Sequence, residues 1–423
     1  MFKRIFLLSL ILLILLVSSV AFASKTVVRF QDWHMTEDVW LKCLQETKAS
    51  FEELHPNIEI KFEPVAHADK STKFIIASEA KNAPDVIHME IQDIPPFIKK
   101  HYLLNLNDLV KNEGSNFMDQ WAEAPKKICE DNNILYAMPD NAQTIVLFYN
   151  TELFKKAGLD PNEPPKTWEE FREYGIKLTN GKDQWGFGMV ANNSASLISR
   201  FLPVLWSFGG DIFNEDMTKC VLDSPDSIAA VNYFVELYTK YGITPPAPNE
   251  MGAQDVRTFL AQGKVAMSFG SGWTVSIVDK LNPDLKAAKV LKNAPLPLGK
   301  RKATFAQMDF WGISAFTKVK DASWEWMKYL TSKDVQEKFF KDNGVTSARV
   351  DVGKSDMIMN DKFAKTICDQ IPYGLAMPMF IAQNEVNNEI IIAIQEALTK
   401  QKTPEQSIKD ACSKIDKIIE RNK

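Results

Sequence analysis

The chain alternates short apolar runs with longer stretches in which apolar residues recur every three or four positions. The segment "TVVRFQDW", from Thr26 to Trp33, predicts a strand that runs into a loop, and "LKCLQETKASFEEL" then has the apolar spacing of a helix. The segment "IEIKFEPV" alternates as a second strand, and "APDVIHME" supplies a third. Strand, helix and strand in this order predict a parallel sheet covered by helices, which indicates the α/β class.

A sharp break in the chain follows the apolar run "TIVLF". Asn150 or Thr151 can cap a short helix, and Gly158 ends it because glycine readily adopts the left-handed conformation. The prolines of "DPNEPPKT" prevent the helix from continuing, and Thr167 with Glu170 forms a capping box that starts the next helix. Taken alone, this pattern does no more than reverse the direction of the chain.

Similar signals predict the later elements. Ser224 with Pro225 opens a helix that Gly242 closes, and "GKVAMSFGSGW" predicts a buried strand with a Gly-rich turn at Trp273. The segment "DASWEWMKYLTSKDVQEKFF" predicts two helices, and a last helix starts at Thr403. One face of that last helix is apolar, and we expect it to pack in a core. This face comprises Ile408, Ala411, Cys412, Ile415 and Ile419.

Composition predicts two lobes, because 423 residues exceed what one core usually organises and a hydrophobic fraction of 45% can fill two cores. The formal net charge of -4 argues against a surface that binds nucleic acid or anionic membranes. The five cysteines are an odd number spread along a large chain, so they do not form a disulfide framework. We expect most of them to be buried thiols.

Residues 1–23 have the pattern of an export signal. Lys3 and Arg4 precede the apolar run Ile5–Val17, and "AFA" forms a small-residue cleavage site that ends at Ala23. We expect cleavage after Ala23, and an uncleaved membrane anchor is the alternative. No cysteine lies next to the expected cut, so a free periplasmic protein is expected rather than a lipid-anchored one.

Sequence motifs for catalysis are missing. The segment "AMSFG" imitates a nucleophile elbow, but Ala266 stands where the motif has glycine, and all five histidines lie at or before His101, upstream of the serine. No metal-spaced cluster, EF-hand loop or phosphate loop occurs in the sequence. We expect no enzyme activity, no cofactor and no metal. A glycosidase stays open as an alternative, because it needs only two carboxylates and the chain has 54 acidic residues.

The segment "LFYNTELFKKAGLDPNEPPKTWEEF" resembles the extracellular solute-binding protein family 1, the maltose-binding-protein-like sugar-binding components of bacterial ABC importers. The segments "APDVIHMEIQDIPPFIKKHYLLNLNDLV", "FGGDIF" and "GKVAMSFGSGW" resemble further parts of that family in the expected order. The resemblance implies a type II-like periplasmic binding protein fold, in which two parallel-sheet α/β lobes are joined by hinge crossovers. It implies lobe 1 at residues 24–140 and 308–346, and lobe 2 at residues 141–307 and 347–423.

Candidate ligand-binding residues follow from the chemistry of sugars, whose C–H patches stack on aromatic rings and whose hydroxyls need hydrogen-bond partners. We therefore consider strand ends and the crossovers that the resemblance implies, near residues 139–143, 305–309 and 343–349. Trp273 lies at a position that resembles that of the family's sugar-stacking tryptophan, and it is the expected principal platform. The candidates are Trp33, Glu90, Asp140, Asn141, Gln143, Trp206, Trp273, Asp309, Trp311, Arg349 and Tyr373. Each tryptophan could instead pack in a core, and Asp140 and Gln143 could satisfy groups at the hinge.

The sequence thus predicts a periplasmic monomer that captures a neutral sugar, by expectation an oligosaccharide, and delivers it to the permease subunits of an ABC transporter by hinge closure. Nucleic acid is not an expected partner. Carboxylates among the candidates favour neutral polyols over anions. The alternative ligand is glycerol 3-phosphate or a related phosphodiester, which needs converging cationic groups, and Arg349 is the evident candidate. A secreted glycosidase is the alternative from another functional class.

Overall fold

The structure is a computed structural model that describes residues 25–377, 380 and 382–422. The predicted export signal and its cleavage site lie outside the described residues. Within these residues, no helix combines the length and the apolar character that a bilayer span requires.

Strands and helices alternate along the described chain, as the α/β prediction requires. The strands are β1 (Thr26–Asp32), β2 (Ile58–Pro64), β3 (Val86–Glu90), β4 (Glu130–Asp131), β5 (Ile134–Leu135), β6 (Ala137–Thr144), β7 (Val146–Asn150), β8 (Trp185–Gly188), β9 (Val265–Gly270), β10 (Leu291–Ala294), β11 (Thr304–Ile313) and β12 (Gly374–Leu375).

The helices are α1 (Asp38–Leu54), α2 (Lys70–Glu79), α3 (Ile94–Lys99), α4 (Asn107–Glu113), α5 (Glu123–Ile128), α6 (Thr151–Lys156), α7 (Trp168–Lys177), α8 (Ala195–Ser207), α9 (Pro225–Thr239), α10 (Ala253–Ala261), α11 (Thr274–Leu281), α12 (Ala287–Val290), α13 (Lys320–Leu330), α14 (Lys333–Asn343), α15 (Val350–Gly353), α16 (Asp356–Asn360), α17 (Lys362–Gln370), α18 (Gln383–Leu398) and α19 (Pro404–Arg421). The two helices predicted from "DASWEWMKYLTSKDVQEKFF" are α13 and α14, and the predicted apolar face of α19 is buried.

The larger sheet has the strand order β12-β11-β3-β1-β2, and β6 pairs with β11 as well. Strand β1 runs parallel to β2 and β3, which confirms the prediction from the first strand, helix and strand pattern. Strand β11 runs antiparallel to β3 and β6. The sheet is therefore mixed, because β11 comes from a distant part of the chain and enters in the opposite direction.

The smaller sheet has the strand order β10-β7-β9-β8. Strand β9 is parallel to β8 and antiparallel to β7. Strands β7 and β9 are buried at every position, which explains why their sequences are apolar on both faces. This sheet is mixed too, so the parallel arrangement expected for the lobes holds for only part of each sheet.

Two large hydrophobic cores divide the described chain, beside three much smaller clusters. One core draws its buried residues from positions 28–142 and 306–348 together with Ile371, and the other draws them from positions 145–303 and 382–419. We call these parts of the chain the first lobe and the second lobe. The chain leaves the first core after Ala142 and returns to it at Ala306.

The three segments that the resemblance implies as crossovers lie side by side. Strands β6 and β11 pair with each other, and Asn141 forms a bridge with Ser347. The backbone N–H of Ala142 donates to the carbonyl of Thr346 at 3.0 Å, and that of Ala348 donates to the carbonyl of Asp140 at 3.0 Å. Hydrogen bonds therefore hold the connecting segments together where the chain passes between the lobes.

The helix boundaries after "TIVLF" follow the sequence signals. Asn150 caps α6, since its side chain accepts from the backbone N–H groups of Glu152 and Leu153. Gly158 follows with φ at +73°, in the left-handed region. Thr167 Oγ1 accepts from the backbone N–H of Glu170 at 3.1 Å, as the capping box predicts. These caps allow the chain to turn back over the smaller sheet within a few residues.

One disulfide bond joins Cys220, in the segment before α9, to Cys412 in α19, and the Cα atoms of the two residues are 5.5 Å apart. The prediction that most cysteines are buried thiols holds for Cys43 and Cys129, whereas Cys368 is a partly buried thiol and Cys220 and Cys412 depart from the prediction by pairing. The bond fastens the C-terminal helix to the second lobe.

Candidate ligand cleft

A cleft with a volume of about 350 Å³ lies between the two lobes. Its first-lobe side includes Glu90, Ile91, Gln92, Pro95, Met308 and Asp309. Its second-lobe side includes Ser196, Ser199, Arg200, Arg257, Trp273, Asn384 and Asn387. We call Glu90 and Asp309 the acidic wall, and Arg200 and Arg257 the basic wall. A solute in the cleft can thus contact both lobes at once.

Strand pairing places the two carboxylates of the acidic wall side by side. Glu90 is the last residue of β3 and lies opposite Asp309 on β11. On the other side of β11, the register with β6 is irregular, so that Asp140 and Asn141 together face Asp309. Such a bulge changes the direction of side chains. Here Asn141 Nδ2 donates to Asp309 Oδ2 at 2.7 Å.

Glu90 is neutralised by neighbouring cations. Its Oε2 atom lies 2.8 Å from Lys70 Nζ and 3.3 Å from His67 Nε2. Gln92 Nε2 also donates to Glu90 Oε2 at 2.7 Å. Burial favours the protonated acid, but the hydrogen bonds and charges of His67 and Lys70 outweigh it and hold the pKa of Glu90 well below its usual range. Glu90 therefore enters the cleft as an ion-paired carboxylate.

Asp309 has the opposite character. Its Oδ1 atom is buried without a hydrogen-bond partner among the described residues. Burial raises the pKa of Asp309 to about 6, although the charge of His88 opposes the shift, and the charge of Glu90 adds to it. Near neutral pH this side chain can therefore exchange between acceptor and donor for a ligand hydroxyl.

Behind the acidic wall, His88 is enclosed by two acids and two tryptophans. Its Nδ1 atom is 3.0 Å from Asp32 Oδ1, and its Nε2 atom is 3.3 Å from Asp140 Oδ2. The Trp33 ring stacks at 4.1 Å on His88, and the Trp311 ring stacks at 3.9 Å. Burial lowers the pKa of His88, but the charge of Asp32, the hydrogen bond to Asp32 and the nearby Asp140 carboxylate raise it to about 10. His88 is thus a buried imidazolium.

The same cluster contains a possible set of metal ligands. His34 Nδ1 lies 3.2 Å from both His88 Nδ1 and Asp32 Oδ1, so three ligand atoms are close together. Metal binding would require a deprotonated His88, because an imidazolium has no free lone pair on either nitrogen. The raised pKa of His88 favours the proton, so the ion pair is the better description of this cluster.

Trp273 lies half-buried at the cleft, in the turn between β9 and α11. Ser271 Oγ donates to Gln143 Oε1 at 3.0 Å, which attaches this turn to the crossover strand β6. A Cβ atom at Gly272 would lie 3.0 Å from both Gln143 Oε1 and the carbonyl oxygen of Gly344. The small residues before Trp273 therefore allow the turn to pack closely against the hinge segments.

The sequence-predicted candidates fall into three groups in the structure. The candidates that line the cleft are Glu90, Trp273 and Asp309. The candidates that lie behind its surface and bond to other protein groups are Asp140, Asn141 and Gln143. The remaining candidates do not line the cleft, and each of them has another environment.

The tryptophans Trp33, Trp206 and Trp311 require a correction, because they were predicted as possible stacking platforms and the structure buries all of them. Trp33 and Trp311 use their ring faces to enclose His88. The Trp206 indole is 2% exposed, and its Nε1 atom donates to Asp211 Oδ1 at 3.3 Å. A buried indole offers no face to a solute, so core packing explains these residues.

Arg349 and Tyr373 also lie away from the cleft surface. Arg349 Nε donates to Asp351 Oδ1 at 2.9 Å, and its Nη1 atom donates to the carbonyl of Thr331 at 3.0 Å. Tyr373 is exposed, with Lys302 Nζ 4.9 Å from the centre of its ring. Because Arg349 uses its guanidinium group for contacts within the protein, we assign it a structural role rather than a role in ligand binding.

The sequence reasoning missed the two arginines of the basic wall. Arg200 lies in α8 and is the one charged residue of "ASLISRFLPVLWS". A single charge in an otherwise apolar helix is the signal that could have pointed to it, because a buried charge needs a reason. Arg257 lies in α10, whose sequence carries no comparable signal.

Comparison with known proteins accounts for this geometry. The family model described as bacterial extracellular solute-binding protein matches residues 33–337. The chain belongs to this family.

This solute-binding protein is 23% identical over 380 residues to a putative binding protein of Brucella abortus, and the match covers 89% of this chain and 90% of the relative. It is 23% identical over 376 residues to the galactooligosaccharide-binding protein of Bacillus subtilis. That match covers 87% of this chain and 84% of the relative. The solved structures include an ABC transporter solute-binding protein from Thermotoga lettingae that is bound with alpha-D-tagatose. Its sequence is 26% identical to this chain, and the two structures superpose with a TM-score of 0.78. The match covers 94% of this chain and 99% of the Thermotoga lettingae chain. The cleft between the lobes is thus the candidate solute-binding site of this solute-binding protein.

Proposed function

We propose that this protein captures a sugar outside the cytoplasm and delivers it to the permease subunits of an ABC importer, as a monomer and without catalysis. The family supplies the general activity, which is the binding of a solute by an extracellular protein. The export pattern of residues 1–23 supports the location. Closure of the lobes around the sugar would present a changed surface to the permease.

The observation that carries the proposal is the composition of the cleft. Trp273 supplies an aromatic face from the second lobe, and Glu90 and Asp309 supply hydrogen-bonding carboxyl groups from the first lobe. An aromatic face opposite polar groups suits a sugar, which has apolar C–H patches and many hydroxyls. A solute that touches both walls stabilises the closed form in proportion to those contacts.

The names of similar proteins support a sugar as the solute. The Bacillus subtilis relative is a galactooligosaccharide-binding protein, and the Thermotoga lettingae structure holds alpha-D-tagatose. These relatives differ in the size of their sugars, so the length of the sugar for this protein is a matter for experiment.

A thermal-shift screen against mono- and oligosaccharides tests the proposal, with Trp273→Ala as the site variant. A ligand at a hundred times its Kd raises the free energy of unfolding by about 2.7 kcal/mol, which gives a clear rise in Tm. Loss of Trp273 as an aromatic anchor should weaken binding by about 2 kcal/mol or more, which corresponds to a roughly thirtyfold rise in Kd.

Trp206→Ala is the matched control, because Trp206 is a buried tryptophan of the same lobe. It should lower the free energy of unfolding by roughly 3 to 5 kcal/mol and leave the calorimetric Kd of the folded protein near that of the wild type. A Trp273→Ala variant that loses stability but keeps its affinity would show that Trp273 is a packing residue.

A glycosidase is the second candidate, because the cleft holds one carboxyl group with a raised pKa beside one with a lowered pKa. Such a division is typical of acid and base pairs in catalysis. However, both groups lie on adjacent strands of one wall, and Lys70 and His67 neutralise Glu90. We therefore expect no shortened products when the protein is incubated with the oligosaccharides that it binds, as analysed by chromatography.

A further inference from the structure

The basic wall of the cleft carries two arginines whose charges no acid in the described part of the chain balances. Arg200 is only 8% exposed, yet it belongs to the lining of the cleft. Burial and then the positive charge of Arg257 lower the pKa of Arg200 to about 10, and no carboxylate of the described residues opposes them. Burial also lowers the pKa of Arg257. The two guanidinium groups thus line the same cleft, and neither has a counter-charge among the described residues.

Neutral groups supply the hydrogen bonds that these arginines make. Arg200 Nη1 donates to Ser199 Oγ at 2.7 Å and to the carbonyl of Ser196 at 3.4 Å. Arg200 Nε is buried and has no hydrogen-bond partner among the described residues. Arg257 Nη1 donates to Gln254 Oε1 at 3.0 Å. Donors therefore remain available at the cleft, including one in a buried position where an unmade hydrogen bond is costly.

The acidic wall cannot easily supply the missing counter-charge when the lobes close. Glu90 already pairs with Lys70 and His67. Asp309 accepts from Asn141, and its pKa of about 6 leaves it only half ionised at pH 6. The acidic wall thus leaves the two arginines without a counter-ion, which an anionic solute would supply.

We infer that the captured sugar carries an anionic group, which is a carboxylate, a sulfate or a phosphate, and that Arg200 and Arg257 bind this group. The inference rests on the proposed function, because it names the class of sugar that the same cleft accepts. Guanidinium groups match the geometry of such oxyanions and form two parallel hydrogen bonds with them. A neutral sugar would enclose two cations without a counter-ion, which is unfavourable.

Other groups on this side of the cleft suit an anion as well. Ser196 and Ser199 line the cleft beside Arg200, and the Ser196 hydroxyl can donate to an oxygen atom of the solute, whereas the Ser199 hydroxyl donates to the carbonyl of Ser196 at 3.1 Å. Ala195 and Ser196 form the first turn of the long helix α8, whose N-terminal dipole favours negative charge. The sequence favoured a neutral sugar because carboxylates predominate among its candidates, with Arg349 as the evident cation, and the two arginines of the basic wall change that balance.

Calorimetric titration of the purified protein with matched charged and neutral probes tests the inference. The probes are trigalacturonate, its methyl ester, maltotriose, galactotriose, glucuronate oligosaccharides, a sulfated disaccharide, glucose 6-phosphate and sn-glycerol 3-phosphate. We expect binding of an anionic sugar, no binding of its uncharged counterpart at the same concentration, and a Kd that rises with salt because of screening. Comparison of the carboxylated, sulfated and phosphorylated probes shows which of the three anionic groups the arginines bind.

Arg200→Gln and Arg257→Gln are the site variants, and Arg172→Gln is the matched control. Arg172 lies in the same lobe on α7, where it pairs with Glu169 at the surface. Each site variant should raise the Kd for the anionic probe roughly thirtyfold or more, whereas the control should keep the wild-type Kd. In the absence of ligand, the Tm of Arg200→Gln should be no lower than that of the wild type, because the substitution removes an uncompensated buried charge. If Arg200→Gln fails to fold, the less buried Arg257 provides the test.

Each outcome of these titrations separates the inference from the proposed function. Tight binding of a neutral sugar that is indifferent to both arginine variants overturns the inference and leaves sugar capture in place. Binding of glycerol 3-phosphate without binding of any sugar supports the anion site and overturns sugar capture. A failure of every anionic probe to bind the wild type also overturns the inference.

Discussion

At the scale of single residues, Asp309 makes the stability of the empty protein depend on pH. Its pKa of about 6 lies above the ordinary value of 3.8, so the folded state binds the proton more tightly than the unfolded state. The resulting stabilisation is complete below pH 3.8 and is lost as the pH rises through 6. We therefore expect Asp309→Asn to be more stable than the wild type at pH 7, by on the order of 3 kcal/mol.

Urea unfolding of the ligand-free wild type and of Asp309→Asn, at intervals between pH 4 and pH 7.5, measures this effect. The difference between the two proteins should be small at the acidic end and should grow with pH. Taking the difference removes the contributions of other titrating groups that both proteins share. Two parallel stability curves would mean that the folded pKa of Asp309 is ordinary.

The residues that could be placed from sequence are those with local signals. Glu90 ends a strand and Trp273 follows a Gly-rich turn, and each feature can be recognised within a few positions. Trp311 could not be placed, because its burial depends on the pairing of β11 with β3, which sets it opposite His88 from a distant part of the chain. Arg200 was missed because a lone arginine on a helix is ordinarily a surface residue.

At the scale of elements, the disulfide between Cys220 and Cys412 should stabilise the second lobe. It closes a loop across a sequence separation of 192 residues and ties α19 to the segment before α9. Removal of a native disulfide typically costs about 2 to 5 kcal/mol. We expect the double variant Cys220→Ser with Cys412→Ser to unfold at a lower urea concentration and a lower Tm than the oxidised wild type.

Cys368→Ser is the control for that double variant, because Cys368 is a free thiol that is only partly buried. Addition of a reductant should lower the Tm of the wild type and of Cys368→Ser, and it should leave the double variant unchanged. A wild type that melts at the same temperature with and without reductant would show that the bond contributes nothing to stability.

Local patterns predicted which elements form but not how they are arranged. The caps at Asn150 and Thr167 depend on neighbouring residues, and the structure contains both. The mixed sheets were not predicted, because the direction of β11 depends on the route of the chain through the second lobe. The cysteine pairing was not predicted either, since it depends on distance in space rather than on sequence spacing.

At the scale of the whole molecule, ligand binding should make the protein more compact. The chain passes from one core to the other after Ala142 and returns at Ala306, so the lobes can move about a few shared segments. A sugar that contacts both walls of the cleft favours the closed arrangement. We expect the radius of gyration from small-angle X-ray scattering to fall when a ligand found in the sugar screen is added.

Trp273→Ala at the same ligand concentration is the control for the scattering experiment, because it should bind less ligand and therefore compact less. Addition of a non-binding sugar should leave both proteins unchanged. A saturated wild type with the same radius of gyration as the empty protein would exclude hinge closure as the response to the ligand.

The enclosure of His88 has an optical consequence. An imidazolium in contact with an indole accepts an electron from its excited state, so Trp33 and Trp311 should be nearly dark in fluorescence. Because the pKa of His88 is about 10, this quenching persists at every pH at which the protein is normally handled. The chain has 10 tryptophans, so the emission then comes from those other than Trp33 and Trp311, and Trp273 at the cleft is one of them. A solute that stacks on Trp273 should therefore change the part of the intrinsic fluorescence that Trp273 contributes.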